Sequence, residues 1–477
     1  MRPPHRVCNG VNAAEMFARR HLRVFRLRPF DQATTEGRAS ERHRRVALTA
    51  AAAALAKVLS VGAALVSVPL TLNYLGVERF GMWMTISSLI AMLTFADFGI
   101  ANGVLSSVAN AHGRDDSTAI RRFVASGFFL LAALAAVLMV AFALAYPFVP
   151  WHKLFNVQTS LARTEAGPAL AVFVACFALA IPLGVVQRVQ MGLQQGFSAS
   201  LWQCLGSVLA LAGVLLVIYA QGGLPWLVLA LAGAPLLATA ANSLHFYFFA
   251  RPDLRPRLSV ANWASARQVA VTGALFFVLQ ITVAVAYSSD SIVIAQMLGA
   301  SAVTQYAVPE KLFGLISLAL AMVLAPLWPA YGEALARGDG VWVRRTLKRS
   351  VMLSFSIAVA MSAIVVFVAP LLIRLWVGDA VTVSLGLLLA LSAWKSVEAA
   401  GIAVAFFLNG ANVIRLQVAV AVSVAITSIS LKIYLVPLMG IAGVVWATVA
   451  AYLLFAALPY FLLVPGIARR RAGTDSY

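Results

Sequence analysis

Long apolar runs follow one another along the chain after Arg45, and short polar segments separate them. Each run is close to the roughly 20 residues that a helix needs to cross about 30 Å of hydrocarbon. The pattern therefore predicts an all-α polytopic membrane protein with about twelve transmembrane helices. The predicted spans are 47–72, 80–104, 123–146, 168–190, 200–220, 226–249, 269–296, 302–327, 350–373, 382–408, 415–436 and 440–464.

The two halves of the chain resemble each other at one constant offset. The shift that places Leu75-Gly76 on Leu298-Gly299 also places the segment 116–122 on 339–345. Both of these segments begin with aspartate and have two arginines five and six residues later. A repeat of six spans is even in number, so the two halves must be parallel, with a pseudo-two-fold axis along the membrane normal. We expect two six-helix parallel pseudo-repeats around a central cavity.

The spans divide the chain into segments. The expected segments are an Arg-rich cytoplasmic arm (1–45), an N-terminal six-helix bundle (46–250), a cytoplasmic linker (251–268), a C-terminal six-helix bundle (269–464) and a cytoplasmic tail (465–477). The arm holds eleven arginines and no long apolar run, and we expect it to be disordered. Two interpretations of the arm stay open: it binds anionic lipid headgroups of the inner leaflet, or translation starts further along, for example at Met16.

The composition agrees with a membrane protein and excludes several soluble classes. Of the 477 residues, 62% are hydrophobic and 11% are charged, and the mean hydropathy is +0.89. Soluble proteins have roughly 45–50% apolar and about 25% charged residues. A soluble fold cannot bury this much hydrocarbon, because its surface grows too quickly with chain size. A soluble enzyme, a secreted disulfide scaffold and a disordered tail protein are therefore excluded.

The distribution of charge predicts the orientation. The chain carries 36 Lys and Arg against 17 Asp and Glu, a formal net charge of +19. Basic residues of membrane proteins collect in cytoplasmic loops, so this excess indicates topology and we expect no nucleic-acid partner. With the N-terminus inside, 28 basic residues fall in cytoplasmic segments and four in external ones, namely Arg79, Lys153, Arg163 and Arg374. We expect a multi-pass protein of the inner (plasma) membrane with both termini in the cytoplasm.

Several loose motifs in a defined order indicate a family. The first half holds VPLTLNYLGVERFGMW at 68–83 and FADFGI at 95–100. The second half holds Asp290, Leu298-Gly299, Tyr306, Lys311-Leu312, Pro326-Leu-Trp-Pro329 and Ala336-Arg-Gly-Asp339. Over residues 46–464 the chain resembles the O-antigen and exopolysaccharide flippases. That family is part of the superfamily that also contains the multidrug-and-toxin extruders and the peptidoglycan lipid-precursor flippases.

The resemblance implies a function. It implies two six-helix bundles around a central cavity that move an undecaprenyl-diphosphate-linked oligosaccharide from the inner to the outer leaflet by alternating access. Separately, carboxyl groups inside the apolar runs lead us to expect that transport is coupled to an ion. The oligosaccharide would be the repeat unit of an O-antigen or exopolysaccharide. The implied protein is a transporter and not an enzyme. Its implied partners are the lipid-linked oligosaccharide, membrane lipids and polysaccharide assembly proteins.

The residues contain no recognisable catalytic constellation. The chain has no Gly-rich loop with a following Lys for binding ATP. Its histidines are mostly in predicted loops, and its three cysteines, Cys8, Cys176 and Cys204, have no metal-ligand spacing. We therefore expect neither a cofactor nor a metal site.

Ionisable residues inside apolar runs are the informative ones, because a charge in hydrocarbon costs several kcal/mol unless it has a partner or a water-filled cavity. The residues predicted to bind substrate are Lys57, Lys395, Lys311, Arg188 and Gln190. The residues predicted to couple transport to an ion are Asp290, Glu310 and Glu398. We expect Lys432 to extend to the membrane interface and Asp97 to pack or cap a helix.

Pairing among the charged residues is the main alternative to these roles. At about 1.5 Å of rise per residue, Lys57 and Lys395 both fall near the membrane midplane, where they could hold a diphosphate from two sides. Lys395 and Glu398 are three residues apart on one helix, however, and could instead form a helical ion pair. The sequence leaves both interpretations open.

Two other functions remain as alternatives. A drug or cation antiporter of the same fold would have an acid-dominated cavity, whereas the deep lysines favour an anionic substrate. A polytopic glycan polymerase or ligase would carry its reactive groups on a large external loop. The longest predicted external loop, 146–167, is too short for that role.

Overall fold

The computed structural model describes residues 34–93, 95–151, 159–377 and 383–471. These residues form helices joined by short turns, with no strand among them. The α-helices of the first half are Thr35–Leu93, Ile100–Gly113, Ser117–Ala145, Ser160–Leu183, Val185–Gly192, Gly196–Tyr219, Leu224–Val228 and Ala234–His245. Those of the second half are Trp263–Leu298, Ala300–Leu324, Leu327–Ala336, Gly340–Val377, Leu385–Gly410, Ile414–Met439, Ile441–Tyr452 and Leu458–Arg471. Short 3-10 or π turns extend or join them at Tyr146–Phe148, Leu229–Gly233, Phe246–Ala250, Pro252–Leu254 and Leu453–Ala457.

The helices form twelve spans, numbered here in chain order. Spans 1 and 2 share helix Thr35–Leu93, which leaves the helical conformation at Gly76, and span 2 continues through a turn into Ile100–Gly113. Spans 3 to 12 are 117–148, 160–192, 196–219, 224–250, 263–298, 300–336, 340–377, 385–410, 414–439 and 441–471. Eleven described helices are long and apolar enough to cross a membrane, and the remaining span is the divided span 2. The prediction of an all-α fold with twelve spans is confirmed.

Span 1 begins earlier than the hydrophobic pattern predicts. Its helix starts at Thr35, so residues 35–45 of the predicted disordered arm are helical. Glu41 and Arg42 are buried there, at 3% and 1% exposure. This part of the arm differs from the expectation because its charges bind one another and the C-terminal half, as described below. The rest of the arm and the end of the tail, 1–33 and 472–477, lie outside the described residues.

Apolar side chains cover the outside of the bundle as well as its core. Phe313 and Phe407 are fully buried, whereas Phe367 and Phe461 are 84% and 78% exposed. In water such exposed rings would be costly, but lipid tails are as apolar as a protein core. The apolar pattern therefore predicts the spans without showing which face of each helix points inward.

The two six-helix bundles pack closely where spans 2 and 7 meet. A Cβ atom on Gly99 would collide with the backbone oxygen of Gly273, and one on Gly103 would collide with that of Val269. Small residues of this kind let two membrane helices approach with their backbones in contact. Glycine is therefore required at this junction of the bundles.

The turns between spans lie at two ends of the molecule. We call one the basic end; it holds Arg42, the turns 114–116, 193–195, 337–339 and 411–413, and the linker 251–262. The other, the Gly76 end, holds Gly76, Gly299, Gly440 and the turn 220–223. On the linker, Arg251 donates hydrogen bonds of 2.9 and 2.8 Å to Asp253, which lowers the pKa of that carboxyl group.

Candidate functional site

A cavity that several polar side chains line, among mostly apolar surroundings, lies in the N-terminal bundle at the middle of span 1. It has a volume of about 460 Å³, and its walls come from spans 1, 4, 5 and 6, with Met322 of span 8 at its edge. The polar side chains that line it are Lys57, Ser60, Gln187, Gln203, Ser207 and Thr239. We call it the Lys57 cavity. It places an ammonium group among amides and hydroxyls within the membrane-spanning part of the chain.

The amides of the Lys57 cavity are connected. The side chain of Gln187 donates to the hydroxyl of Thr239 at 3.4 Å, and the side chain of Gln203 donates to the side-chain oxygen Oε1 of Gln187 at 3.3 Å. Lys57 is exposed to the cavity and forms no ion pair with any residue that the structure describes. An unneutralised ammonium beside amides, which both donate and accept, can bind an anion and hydroxyl groups together. The role of Lys57 in binding substrate stays a prediction.

The two neighbouring candidates on span 4 lie in different surroundings. Gln190 is 1% exposed and exchanges two hydrogen bonds, of 2.8 and 2.9 Å, with the buried amide of Asn242. Its amide is fully used between spans 4 and 6, so the structure does not bring it to the Lys57 cavity. Arg188 is exposed, and the carboxylate of Asp97 is close enough to act on it electrostatically. The backbone amide of Gly99 also donates to the side chain of Asp97 at 2.9 Å, in the turn before helix Ile100–Gly113.

The C-terminal bundle holds most of the other charged candidates in an acid–lysine cluster of two ion-paired groups, and Lys395 of one group acts electrostatically on Asp290 of the other. The members of the cluster are Asp290, Glu310, Lys395, Glu398 and Lys432. Three carboxylates and two ammonium groups give the cluster a net charge of −1 when all five are ionised. The two lysines are almost fully buried, at 2% and 0% exposure.

The Lys432–Asp290 pair joins spans 11 and 7. The ammonium nitrogen lies 2.5 Å from Oδ1 of Asp290, and it also donates to the hydroxyl of Ser289 at 2.9 Å. The hydroxyl of Tyr306 donates to the other oxygen of Asp290 at 2.6 Å. The expectation that Lys432 extends to the membrane interface is therefore wrong, because its ammonium finds a carboxylate across the bundle instead.

Lys395 is paired as the alternative interpretation of the sequence proposes. Its ammonium lies 2.9 Å from Glu398 on its own helix and 3.9 Å from Glu310 on span 8. The hydroxyl of Ser317 donates to the same oxygen of Glu398 at 2.5 Å. The sequence also placed Lys57 and Lys395 on two sides of the pseudo-two-fold. At the offset that relates the two halves, however, the counterpart of Lys57 is Gln280.

An aromatic cavity of about 240 Å³ adjoins the cluster inside the C-terminal bundle. Asp290 and Tyr306 line one part of it, and Trp394, Tyr452 and Tyr460 line another. Gly401 leaves room for this arrangement, since a Cβ there would collide with the hydroxyl of Tyr452. Most of the remaining wall is aliphatic, so the cavity suits an apolar or aromatic molecule.

Several of these residues have little signal in the sequence. Gln203 and Ser317 are single polar residues within apolar runs, and such residues are common on the wet ends of spans. Tyr306 belongs to the family motif but lies 16 residues from the carboxylate that it contacts.

Lys311, a predicted ligand, is exposed on span 8 and is not among the residues that line either cavity. Among the described residues no group of His, Cys, Asp or Glu side chains could hold a metal ion.

Solved structures of similar fold are membrane transporters. A MATE structure in the bent conformation superposes with a TM-score of 0.77 at 15% identity, covering 91% of this chain and 98% of that chain. An outward-facing multidrug resistance MATE family transporter of the MOP superfamily gives 0.74 at 16% identity, covering 91% and 97%. A MOP superfamily transporter from Pyrococcus furiosus, described as having a binding pocket of reverse polarity, gives 0.73 at 15% identity, covering 89% and 96%. At this identity the likeness shows the fold.

The sequence itself identifies the family. The curated proteins contain no match to the chain. The family model described as "Polysaccharide biosynthesis protein" matches residues 49–335, which is more than half of the chain. The fold of the structural neighbours is that of transporters and not of enzymes. The chain therefore belongs to the polysaccharide biosynthesis protein family, and it has the multi-pass fold of the MATE transporters.

Proposed function

We propose that this transporter is a flippase for an undecaprenyl-diphosphate-linked oligosaccharide, the repeat unit of an O-antigen or exopolysaccharide. It would carry the unit from the inner to the outer leaflet of the inner membrane by alternating access. The family supports a substrate of polysaccharide biosynthesis. The observation that carries the proposal further is the unpaired ammonium of Lys57 in a cavity lined by amides.

The diphosphate is the part of such a substrate that most needs a protein partner. A phosphate in hydrocarbon without a compensating charge is costly to the same degree as a lone lysine there. The Lys57 ammonium offsets that cost and can hold phosphate as a point charge without imposing one geometry. A substrate that moves through the protein requires such a loose contact.

The sugars would contact the amides around Lys57. Gln203, Gln187 and Thr239 form a chain of two weak hydrogen bonds, of 3.3 and 3.4 Å. A sugar hydroxyl can replace either bond. Gln190, which the sequence predicts as a substrate ligand, is held by Asn242, so the proposed sugar contacts are Gln187 and Gln203. Arg188, exposed one residue further along, remains a proposed second contact for the diphosphate.

The acid–lysine cluster is the proposed site of ion coupling. Its excess of one carboxylate means that a proton or a sodium ion would neutralise it, and Glu310 is the most accessible member, with 32% of its side chain exposed. Asp290 and Glu398 are more buried, at 9% and 12% of their side chains. We assign Lys395 to this balance of charge and not to the substrate anion, because both of its neighbours are carboxylates.

We propose that the basic end faces the cytoplasm. The arginines of the turns and linker at this end far outnumber the basic residues at the Gly76 end, and basic residues are retained on the cytoplasmic side of bacterial spans. Both termini would then be cytoplasmic. Polysaccharide assembly proteins and lipids of the inner leaflet would be reached from this side.

A drug or cation antiporter is the second candidate, and the aromatic cavity favours it. Trp394, Tyr452 and Tyr460 beside the carboxylate of Asp290 are groups that attract aromatic and cationic molecules. Against this candidate, Asp290 already holds the ammonium of Lys432. A cationic drug would have to compete with that internal cation.

The test is transport by the purified protein in vesicles. Vesicles would contain an undecaprenyl-diphosphate-linked oligosaccharide with a fluorescent sugar, and the fraction that becomes accessible to a membrane-impermeant quencher would be followed with time. The proposal expects flipping that is faster than in protein-free vesicles and competition by unlabelled lipid-linked sugar. Efflux of an aromatic cation such as ethidium, without movement of the lipid-linked sugar, would favour the antiporter instead.

A further inference from the structure

Glu333 is the centre of a polar network between the two bundles at the basic end. This carboxylate lies in helix Leu327–Ala336 of span 8 and is 7% exposed. The amide of Gln194, from the turn between spans 4 and 5, donates to one of its oxygens. Arg337 donates to the other at 2.9 Å. Glu333 therefore connects the C-terminal bundle to a turn of the N-terminal bundle.

Arg337 makes a second connection between the bundles. Its two terminal nitrogens donate to the two oxygens of Asp115, at 3.0 and 2.9 Å. Asp115 lies in the turn between spans 2 and 3, whereas Arg337 ends span 8. A bidentate contact of this kind fixes the relative orientation of the two side chains as well as stabilising the contact, because both groups are planar and charged.

Arg42 makes the third connection, from the segment that the sequence assigned to the arm. Its guanidinium contacts Asp339 in the turn between spans 8 and 9 and lies 3.9 Å from Glu333. It also lies 5.0 Å from the centre of the Trp342 ring, a cation–π contact. Arg42 is 1% exposed, so this cation depends on the C-terminal bundle for all of its compensation.

The backbones around these contacts touch, which closes the gap between spans 2 and 8. A Cβ on Gly113 would lie 2.5 Å from Cβ of Ala336 and 2.8 Å from Cα of Glu333. Gly332 packs in the same way against Ala109 at 3.5 Å. No space for a substrate remains between the ends of spans 2 and 8, the two spans that the internal repeat relates.

We propose that Arg42, Asp115, Gln194, Glu333, Arg337 and Asp339 form a lock that holds the two bundles together at the basic end. Because the lock rests on the proposed cytoplasmic orientation, its opening is the step that admits substrate from the inner leaflet. Charges in the lock have partners when it is closed and meet water when it opens. The two states can therefore differ by little in free energy, as a transport cycle needs.

The internal repeat provides one matched pair of aspartates of which only one belongs to the lock. Asp116 and Asp339 are counterparts at the offset that relates the two halves. Asp116 accepts from the backbone of Ala119 at 2.9 Å and caps its own helix. Asp339 instead contacts Arg42 across the bundle interface. Two equivalent aspartates thus have different tasks, one local and one between the bundles.

The lock can be tested by distance measurement in the full-length protein without substrate. Cys8, Cys176 and Cys204 would be replaced by serine, and spin labels would be attached to cysteines at Arg121 and Arg344, exposed counterparts at the starts of spans 3 and 9. Double electron–electron resonance in nanodiscs then reports the separation of the bundles at the basic end. The unaltered lock should give a mainly short distance.

The informative variant is Asp115→Asn, because Asp115 is exposed and its loss does not endanger folding. We expect it to lower the ratio of short to long distances about two- to fivefold, as for a partly exposed ion pair. Asp115 has a positive φ of 56°, which asparagine tolerates as well as aspartate, so Asp115→Asn removes the charge without adding backbone strain. The control Asp116→Asn removes a neighbouring aspartate that contacts only its own bundle, and it should leave the ratio unchanged.

Arg42→Ala tests the buried part of the lock, and we expect a change of about tenfold or more, because it leaves carboxylates without their cation. Unchanged distances in both Asp115→Asn and Arg42→Ala would refute the lock, as would an equal effect of Asp116→Asn. The measurement involves no substrate. A refuted lock therefore leaves the flipping result untouched, and absence of flipping leaves the distances interpretable.

Discussion

Gly76 and Gly299 have nearly the same backbone conformation and occupy equivalent positions in the two halves of the chain. Gly76 has φ 75° and ψ 169°, and Gly299 has φ 89° and ψ 165°. Residues with a side chain are strained in this region of the φ/ψ map, whereas glycine enters it freely. Each glycine ends the first span of its bundle and turns the chain into the second. The offset that the sequence suggested is therefore a repeat of backbone geometry.

The two glycines should be needed for their conformation and not for space. A Cβ on either would meet nothing within 4 Å, so Gly76→Ala and Gly299→Ala test strain alone. We expect each to destabilise the protein by about 1–3 kcal/mol. Thermal unfolding in detergent would show this as a lower midpoint. Gly62→Ala, which also has open space but no positive φ, should keep or raise the midpoint; an equal loss there would contradict the explanation.

Replacement of Lys57 should slow flipping. Lys57→Ala removes the ammonium from the cavity, and we expect about a tenfold or larger loss of rate, typical of a lost charge-assisted hydrogen bond. Lys57→Arg keeps the positive charge and should retain much of the rate. The matched control is Lys311→Ala, a lysine exposed on span 8 outside the cavity. Initial rates would be compared at equal amounts of reconstituted protein, and equal loss in Lys57→Ala and Lys311→Ala would argue against an anion site.

Lys395 and Glu398 should behave as a pair. Lys395→Ala alone leaves two carboxylates without their cation. We expect this to lower the free energy of unfolding by about 3–5 kcal/mol and, as a consequence, to lower membrane abundance and flux. Removing both members of a buried pair can be nearly neutral, so Lys395→Ala with Glu398→Ala should recover much of the loss. The measurement is a double-mutant cycle of unfolding midpoint and flux. Additive effects would return Lys395 to the role of a direct substrate ligand.

Replacement of the carboxyl groups in the cluster should separate transport from the ion gradient. Asp290→Asn and Glu310→Gln keep size and hydrogen bonding but remove the charge that a proton or sodium ion would neutralise. We expect both variants to lose the response of flipping to an imposed pH or sodium gradient. Glu310→Gln should remain in the membrane at normal abundance, whereas Asp290→Asn leaves the buried Lys432 without its carboxylate and should also lower abundance. The control is Glu78→Gln, which changes a carboxylate outside the cluster that contacts Thr159 and should keep the response. A full gradient response in both cluster variants would exclude ion coupling at this site.

Accessibility of single cysteines should establish the orientation. In a background without Cys8, Cys176 and Cys204, a cysteine at Ser160 of span 4 should react with a membrane-impermeant maleimide added outside intact cells. A cysteine at Arg344 should react only after the membrane is permeabilised. Both positions are exposed, and they lie at opposite ends of the molecule. Labelling of Arg344→Cys from outside would reverse the proposed topology.

The sequence by itself determined the number of spans, their approximate limits and the relation between the two halves. A span needs a long apolar run whatever its partners are, so the runs and their offset are visible without a structure. The tertiary structure decided the partners of the charged residues inside the spans. Lys432 was expected at the membrane interface, yet it binds Asp290 on a span far away in the chain.

The physical reason is that lipid and protein interior are both apolar. In a soluble helix the polar face points to water, which shows where the core lies, but a membrane helix has apolar residues on every side. Gln187 and Gln190 are three residues apart and look alike in the sequence, but packing turns one to the Lys57 cavity and the other to Asn242. Arg42 was assigned to a disordered arm because no apolar run surrounds it. Its place in the bundle depends on Asp339 and Glu333, and only the folded chain brings those carboxylates to it.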